Sequence, residues 1–327
     1  MYSSPKVILH THLEGSIPAE TLQLLSKRNK ITLSFDPFSK HIYKSIEAHN
    51  WDSFRKIFFE ICSCFNSEDD FHDSLFQYGV SLKKNNVVYA EVMFSPWKHL
   101  GRGISLEIIA KGFISAIEKL EIEHGITIKI ICDLVRNKDE KCDYIIDWMT
   151  DLPKLHFVGL GVSGGSNAMP RGNYAKYCEV AKKNGFKISA HAGEIEGAES
   201  VIEILDYFNS DRIGHGIRSI EDDKLMQRLV DEQIHFEICP TANKIIGLCR
   251  NNFDVIKDVI NKGVNYSINP DDELIFDTNI DKELSILMTE GIVTAPGVAE
   301  LQKNALRNSF ADEKTIRTLL NTYFDNN

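Results

Sequence analysis

A chain of 327 residues, 43% hydrophobic and 26% charged, is long enough to bury a large core, and its composition excludes the disordered, collagen-like and disulfide-stapled classes. Its 37 basic side chains against 47 acidic ones leave a net charge of −10 and a pI near 5.6, which argues against a surface built to neutralise nucleic-acid phosphates or an anionic membrane. No apolar run reaches the length of a membrane span, and the start M-Y-S-S-P-K-V-I-L-H lacks the basic-then-apolar pattern of a secretory signal, so a cytoplasmic protein is expected.

In chain order, the first β-branched run covers residues 7–10 and leads into H-T-H-L-E-G-S at 10–16. A long crossover precedes the next run, at 87–94. Within it Trp51, Phe54, Phe58, Ile61 and Phe65 recur at intervals of three and four, which is one apolar helix face. Ser67 and Asp70 form a capping-box pattern opening a second helix through Phe71, Leu75 and Leu82. Residues 41–86 are therefore expected to be a helical insertion, covering the wall or forming a lid over a site. Further runs at 127–134, 157–162, 187–192, 212–215, 235–240 and 265–269 alternate with helical patterns at 174–184, 199–208, 221–232 and 253–262. Gly185 and Gly263 stand where a left-handed residue closes two of those helices. From about Thr278 onward the pattern is helical with no linker, so 1–327 reads as one domain.

Strand after helix after strand implies parallel pairing. Eight such strands close most simply into an α/β fold, a (β/α)8 TIM-type barrel with extra helices in the first crossover and at the C-terminus. Its site residues would sit at the C-terminal strand ends. Three helix-to-strand joints, K-K-N-N-V-V-Y-A-E-V, K-K-N-G-F-K-I-S-A-H and I-N-K-G-V-N-Y-S-I-N, echo one another as repeats of one βα unit would. An open doubly wound sheet is the competing architecture, but H-T-H-L-E-G replaces the glycine-rich first turn that it needs. The cysteines Cys62, Cys64, Cys132, Cys142, Cys178, Cys239 and Cys249 contain no C-x-x-C pair and are expected to be reduced packing residues.

The residues able to carry chemistry fall at those strand ends. His10 and His12 are two apart, so both imidazoles face one way where the first strand ends. A lone H-x-H is commonly a surface pair; its company here changes that reading. His191 ends the fifth run, His215 ends the sixth, and Asp271 with Asp272 follows the eighth. Histidines with unrelated structural duties would not collect at one end of separate strands. Three His and one Asp suit Zn²⁺ with a coordination position left for water. The remaining His, Glu194 and the second Asp are then the acid, the base and a substrate contact.

H-T-H-L-E-G-S at 10–16, S-P at 95–96, H-A-G-E at 191–194, R-I-G-H-G at 212–216, H-F-E-I-C-P at 235–240 and N-Y-S-I-N-P-D-D-E-L-I-F at 265–276 run in order across nearly the whole chain. Together they closely resemble the adenosine deaminase family of purine nucleoside deaminases, within the amidohydrolase superfamily. The resemblance implies one zinc per chain held by His10, His12, His191 and Asp271. It makes Glu194 the acid that protonates purine N1, and His215 the group that orients or deprotonates the attacking water. Asp272 would accept a hydrogen bond at N7 and the Gly164 N–H would reach N3, while His12 and Glu14 would contact the ribose 5′-hydroxyl. The implied reaction is hydrolytic deamination of adenosine and 2′-deoxyadenosine to inosines and ammonia, with a small purine nucleoside as the partner.

Departures from the family pattern bear on the substrate. Glu14 stands where the nucleoside enzymes carry Asp, a feature shared with adenine deaminases, and Glu273 replaces the usual Pro. The fourth run, G-L-G-V-S-G-G-S, keeps Gly164 but has Gly161, Gly165 and Ser166 where acids are usual. Deamination of adenine or of a modified 6-aminopurine nucleoside is therefore the alternative. A silent nucleoside-binding or signalling homologue is disfavoured by retention of Glu194, His215 and all four ligands. The P-C-x-x-C of the other zinc deaminase scheme does not occur. His41, His49, His72, His99, His124, His156 and His235 are expected at the surface or satisfied in the core, Trp97 and Trp148 in packing, and Glu91 and Asp133 as candidates to support the site from beneath.

Overall fold

In the computed structural model, which describes residues 4–40, 42–45, 51–136, 141–164, 171–246 and 252–325, the short β-branched runs become eight parallel strands hydrogen-bonded in sequence order. They are β1 (Lys6–Ile8), β2 (Val87–Phe94), β3 (Thr127–Val135), β4 (Phe157–Ser163), β5 (Lys187–Ala192), β6 (Arg212–His215), β7 (His235–Ile238) and β8 (Asn265–Ile268). Each covers its expected run to within a few residues. Every residue of β2 is buried, as helices on one face and the barrel interior on the other require.

The sheet curls into a nearly closed (β/α)8-like barrel. Between β8 and β1 the ladder is reduced to one bridge, Thr11 with Asp271, in which the His12 N–H donates to the Asp271 carbonyl at 3.0 Å. The Asn269 side chain completes the seam: its Oδ1 accepts from the Leu9 N–H at 2.7 Å and the His10 N–H at 3.1 Å. A side-chain amide thus satisfies backbone donors that the missing ladder would leave bare.

Helices α1 (Leu13–Ser16), α2 (Ala19–Arg28), α3 (Trp51–Ser63) and α4 (Glu68–Lys84) precede β2. The capping box forms as the pattern predicts: Ser67 Oγ accepts from the Asp70 N–H, and the Asp70 side chain accepts from the Ser67 N–H. After β2 come α5 (Pro96–Leu100) and α6 (Leu106–His124). Helix α4 lies tightly on α6, because a Cβ at Gly112 would come within 2.6 Å of the Glu68 carbonyl. Outside the later strands run α7 (Cys142–Thr150), α8 (Ala175–Lys183), α9 (Ala198–Phe208), α10 (Asp223–Asp231), α11 (Pro240–Ile245) and α12 (Asn252–Asn261).

The last helices are α13 (Glu273–Phe276), α14 (Ile280–Thr289), α15 (Ala295–Arg307) and α16 (Glu313–Tyr323). Leu306, Leu319 and Phe324 pack against Val7, Leu9, Val88 and Tyr89, and Gln302 Oε1 accepts from the Val7 N–H, so the C-terminal helices are extra helices bound to β1 and β2. The six described cysteines are buried and unbridged; Cys249, His41, His49, Gly165 and Ser166 lie outside the described residues. No described helix is long and apolar enough to cross a membrane.

Candidate metal and active site

Strand alternation places His10 and His12 on one side and Thr11 on the other. Thr11 Oγ1 turns away to Tyr78 and Ser16, while both imidazoles enter the space above the barrel. His191 ends β5 and His215 ends β6, and the ring centroids of His10, His191 and His215 lie 4.6 to 5.3 Å apart. Asp271 joins them from the turn after β8. Two of these residues, His215 (φ 65°) and Asp271 (φ 64°), hold a left-handed backbone that costs non-glycine residues free energy. Such strain persists where neighbours over-determine it. Here the Asp271 carbonyl takes hydrogen bonds from the His12 N–H, Thr11 Oγ1 and Ser16 Oγ.

The donor atoms fit a metal. His12 Nε2 is 3.2 Å from His191 Nε2, and Asp271 Oδ1 is 3.5 Å from both His10 Nε2 and His12 Nε2. Tetrahedral bonds of about 2.0–2.1 Å require donors roughly 3.3–3.4 Å apart. His10 Nε2 is buried with no hydrogen-bond partner, as an atom reserved for a cation would be. His10 is pushed up to about 10: burial opposes its charge but is outweighed by Asp271 and Glu237, so these carboxylates favour positive charge there. Two overlapping triads, His10 with His191 and His215, and Glu194 with His215 and Asp271, also bring their donors within 4.8 Å. The cluster is one that can hold a divalent cation, with His10, His12, His191 and Asp271 as the set that would bind it.

Glu194 is buried, with Oε2 3.6 Å from His215 Nε2. Burial, and then the Asp271 carboxylate, pushes its carboxyl up to about 8. His215 is pushed down to about 3, chiefly by burial, and is neutral; the Asn243 amide nitrogen lies 3.2 Å from its Nδ1. Asp272 is held well above the usual carboxylate range by burial and by Asp271 beside it. A cavity of about 220 Å³ opens on these groups; its wall includes His12, Ser95, Ser163, Gly164, Glu194 and Asp272. Helix α3 adds Phe54, Phe58 and Phe59, so the insertion contributes an aromatic wall.

Glu14 does not line that wall. Its side chain is fully buried, Oε1 accepts from the Ser95 N–H at 3.1 Å, and His99 Nε2 lies 3.6 Å away. His99, expected at the surface or satisfied in the core, is fully buried, with its ring stacked on Phe94 at 4.9 Å and facing the Glu14 side chain. His235 is satisfied by Asn265 and Ser267, as expected.

Glu91, expected to support the site from beneath, does lie under it, joined there by Arg212 of R-I-G-H-G and Glu237 of H-F-E-I-C-P, whose supporting roles the motifs did not announce. Glu237 Oε2 contacts His10 Nδ1 at 2.7 Å, which turns Nε2 toward the other donors, as carboxylates commonly do for metal-binding histidines. Arg212 Nε donates to Glu237 Oε1 at 2.6 Å, and Arg212 Nη2 donates to Glu91. Glu91 Oε1 also accepts from Tyr89 OH at 2.7 Å. A charged residue inside an otherwise apolar strand run was the available signal.

A family model described as adenosine deaminase matches residues 5–325. An adenine deaminase of Hahella chejuensis is 33% identical over 333 residues, spanning 98% of this chain and 97% of that protein. One of Zymomonas mobilis is 31% identical over 321 residues, spanning 97% of this chain and 94% of that one. The crystal structure of adenine deaminase from Arthrobacter aurescens superposes with a TM-score of 0.86 at 27% identity, covering 98% of both chains.

Proposed function

Because the chain belongs to the adenosine deaminase family, we propose that it is a zinc-dependent hydrolase that removes the 6-amino group of a purine, and that the free base adenine is its preferred substrate. The observation that carries deamination is the convergence of the metal donors His12, His191 and Asp271 on one cavity, backed by His10, with a carboxyl raised to about 8 at Glu194 and a neutral imidazole at His215.

Zinc, when bound, would supply Lewis acidity that brings the pKa of water toward about 7. The chain's residues do the rest. Glu194, protonated at neutral pH, gives its proton to purine N1 as the oxygen of water adds at C6, so charge does not build on the ring. His215 takes the proton from that water and returns one to the departing nitrogen. Asp272, whose carboxyl burial and Asp271 hold well above the usual range, donates to N7, the reverse of the direction the resemblance implied because N7 has only a lone pair to offer, and the Gly164 N–H donates to N3. As the C6–N bond breaks, the proton left on the added oxygen passes to Glu194, ammonia leaves with the proton from His215, and the 6-oxopurine remains with both residues back in their starting states.

E-V-M-F-S-P at the end of β2 and D-D-E-L-I-F after β8 resemble the nucleoside enzymes and favour adenosine; two observations favour adenine instead. The Glu14 carboxylate, which would have served a ribose hydroxyl, is engaged by Ser95 and faces His99 behind the wall. The curated relatives described above, matched end to end, are adenine deaminases. The test is ammonia release by zinc-loaded protein from adenine, adenosine and 5′-deoxyadenosine. A higher kcat/KM for adenine is expected; preference for adenosine over both others would return Glu14 to the ribose and overturn the base assignment.

A further inference from the structure

Strand β4 carries Gly161 where the family usually has an acid, and the structure supplies an acid to the same place from the neighbouring strand. Asp133 on β3 is in register with Gly161, and a Cβ at Gly161 would lie 2.5 Å from Asp133 Oδ1. The missing side chain is what makes room for this carboxyl, which is fully buried beneath the cavity floor. Its Oδ2 accepts from Ser163 Oγ and, at 3.3 Å, from Ser95 Oγ. Both serines line the cavity.

A hydroxyl has one hydrogen. When Ser95 and Ser163 both direct theirs to Asp133, each can offer only lone pairs to whatever enters the cavity. Burial pushes the Asp133 carboxyl up to about 7, and Oδ1, which has no partner, can carry the proton while Oδ2 goes on accepting. We propose that Asp133 is a positioning residue that fixes Ser95 and Ser163 as acceptors, and that these select purines bearing an N–H on the five-membered ring. Such purines are free bases rather than their nucleosides.

The inference rests on the purine reading above and gives it a physical cause. With N3 on the Gly164 N–H, which makes no hydrogen bond among the described residues, N9 is one ring carbon away, within the part of the cavity that the preceding residue, Ser163, also lines. Adenine offers an acceptor at N3 and a donor at N9, complementary to a backbone N–H beside an accepting hydroxyl. A nucleoside has carbon on N9 and offers no donor. The serines would then lose water without gaining a partner.

The test compares adenine with 9-methyladenine, on the zinc-loaded wild type and on the Asp133→Asn and Ser163→Ala variants. Wild type should prefer adenine by roughly 10²-fold or more in kcat/KM, since a site built for a hydrogen bond can reject an analogue lacking it by up to roughly 10⁴–10⁵-fold. Asparagine can donate its amide to a serine and release that hydroxyl hydrogen into the cavity. In both variants the ratio should fall tenfold or more, with bound zinc unchanged. Ser163→Ala answers the question if Asp133→Asn does not fold. A wild-type ratio near one, or a ratio unmoved in folded variants, overturns the proposal. Should the zinc-loaded protein deaminate neither compound, the deaminase reading fails, and calorimetry with purine and 9-methylpurine decides this inference separately. Tighter purine binding, lost in the variants, upholds it; equal binding overturns it.

Discussion

Two layers of buried charge lie one above the other in this barrel and behave differently. In the lower layer Arg212, Glu91, Glu237, Tyr89 and Ser189 pair with one another. In the upper layer, at the strand ends, His10 Nε2, His191 Nδ1, Asp133 Oδ1 and Asp272 Oδ1 are buried without hydrogen-bond partners. Both are rich in ionisable side chains, so composition does not distinguish scaffold from site. Completeness does: a buried polar group left unpaired costs about 1–3 kcal/mol, and a cluster of them at one place marks where a ligand belongs. Glu237 belongs to both layers, with one oxygen on Arg212 and the other on His10. Its carboxyl is held down at about 2, because Arg212 and His10 outweigh the burial that would raise it.

Mutations that enter the two layers separately test this distinction. The largest effect is expected in the upper layer. His191→Ala or Asp271→Asn should lose zinc and cut turnover on the order of 10³-fold or more, with little change in stability of the zinc-free protein. Elemental analysis with parallel assays checks it, and a fully active His191→Ala protein removes that residue from the ligand set. In the lower layer, Arg212→Met leaves two carboxylates unpaired and should cost roughly 3–5 kcal/mol in urea unfolding. A near-neutral result would show that the lower layer is not closed.

Smaller effects sharpen the boundary. Glu194→Gln should keep zinc and substrate affinity but lose roughly 10²-fold in kcat, since an amide can hydrogen-bond to N1 without delivering a proton. Because Glu194 is raised to about 8 and acts as an acid, kcat/KM should be high below that pH and fall as pH rises through it. An alkaline limb that is the same in Glu194→Gln would assign it to another group. Glu237→Gln, at the joint between layers, should weaken zinc about 10–100-fold in a chelator competition while sparing the fold more than Arg212→Met does. Outside both layers, Ser67→Ala removes a helix cap and should cost about 0.5–2 kcal/mol with zinc affinity unchanged.

The sequence by itself determined the eight strands, because β-branched runs of four to eight residues between helical patterns carry their own periodicity. It also determined the capping box at Ser67, whose partners are three residues apart, and the gathering of His10, His12, His191, His215 and Asp271, since each lies at or just beyond the C-terminal end of a strand of one parallel sheet. Only the tertiary structure decided the rest. Arg212 and Glu237 are 25 residues apart and Arg212 and Glu91 are 121 apart, so no local pattern announces their pairing inside the barrel. The turn of Glu14 toward Ser95, 81 residues on, is set by packing in space and has no local signal in the chain. The room that Gly161 leaves for the Asp133 carboxyl exists only through the register that sets β3 against β4. Periodicity acts between neighbours in the chain, whereas hydrogen bonds and buried charges are satisfied between neighbours in space, and barrel closure is what makes distant residues adjacent.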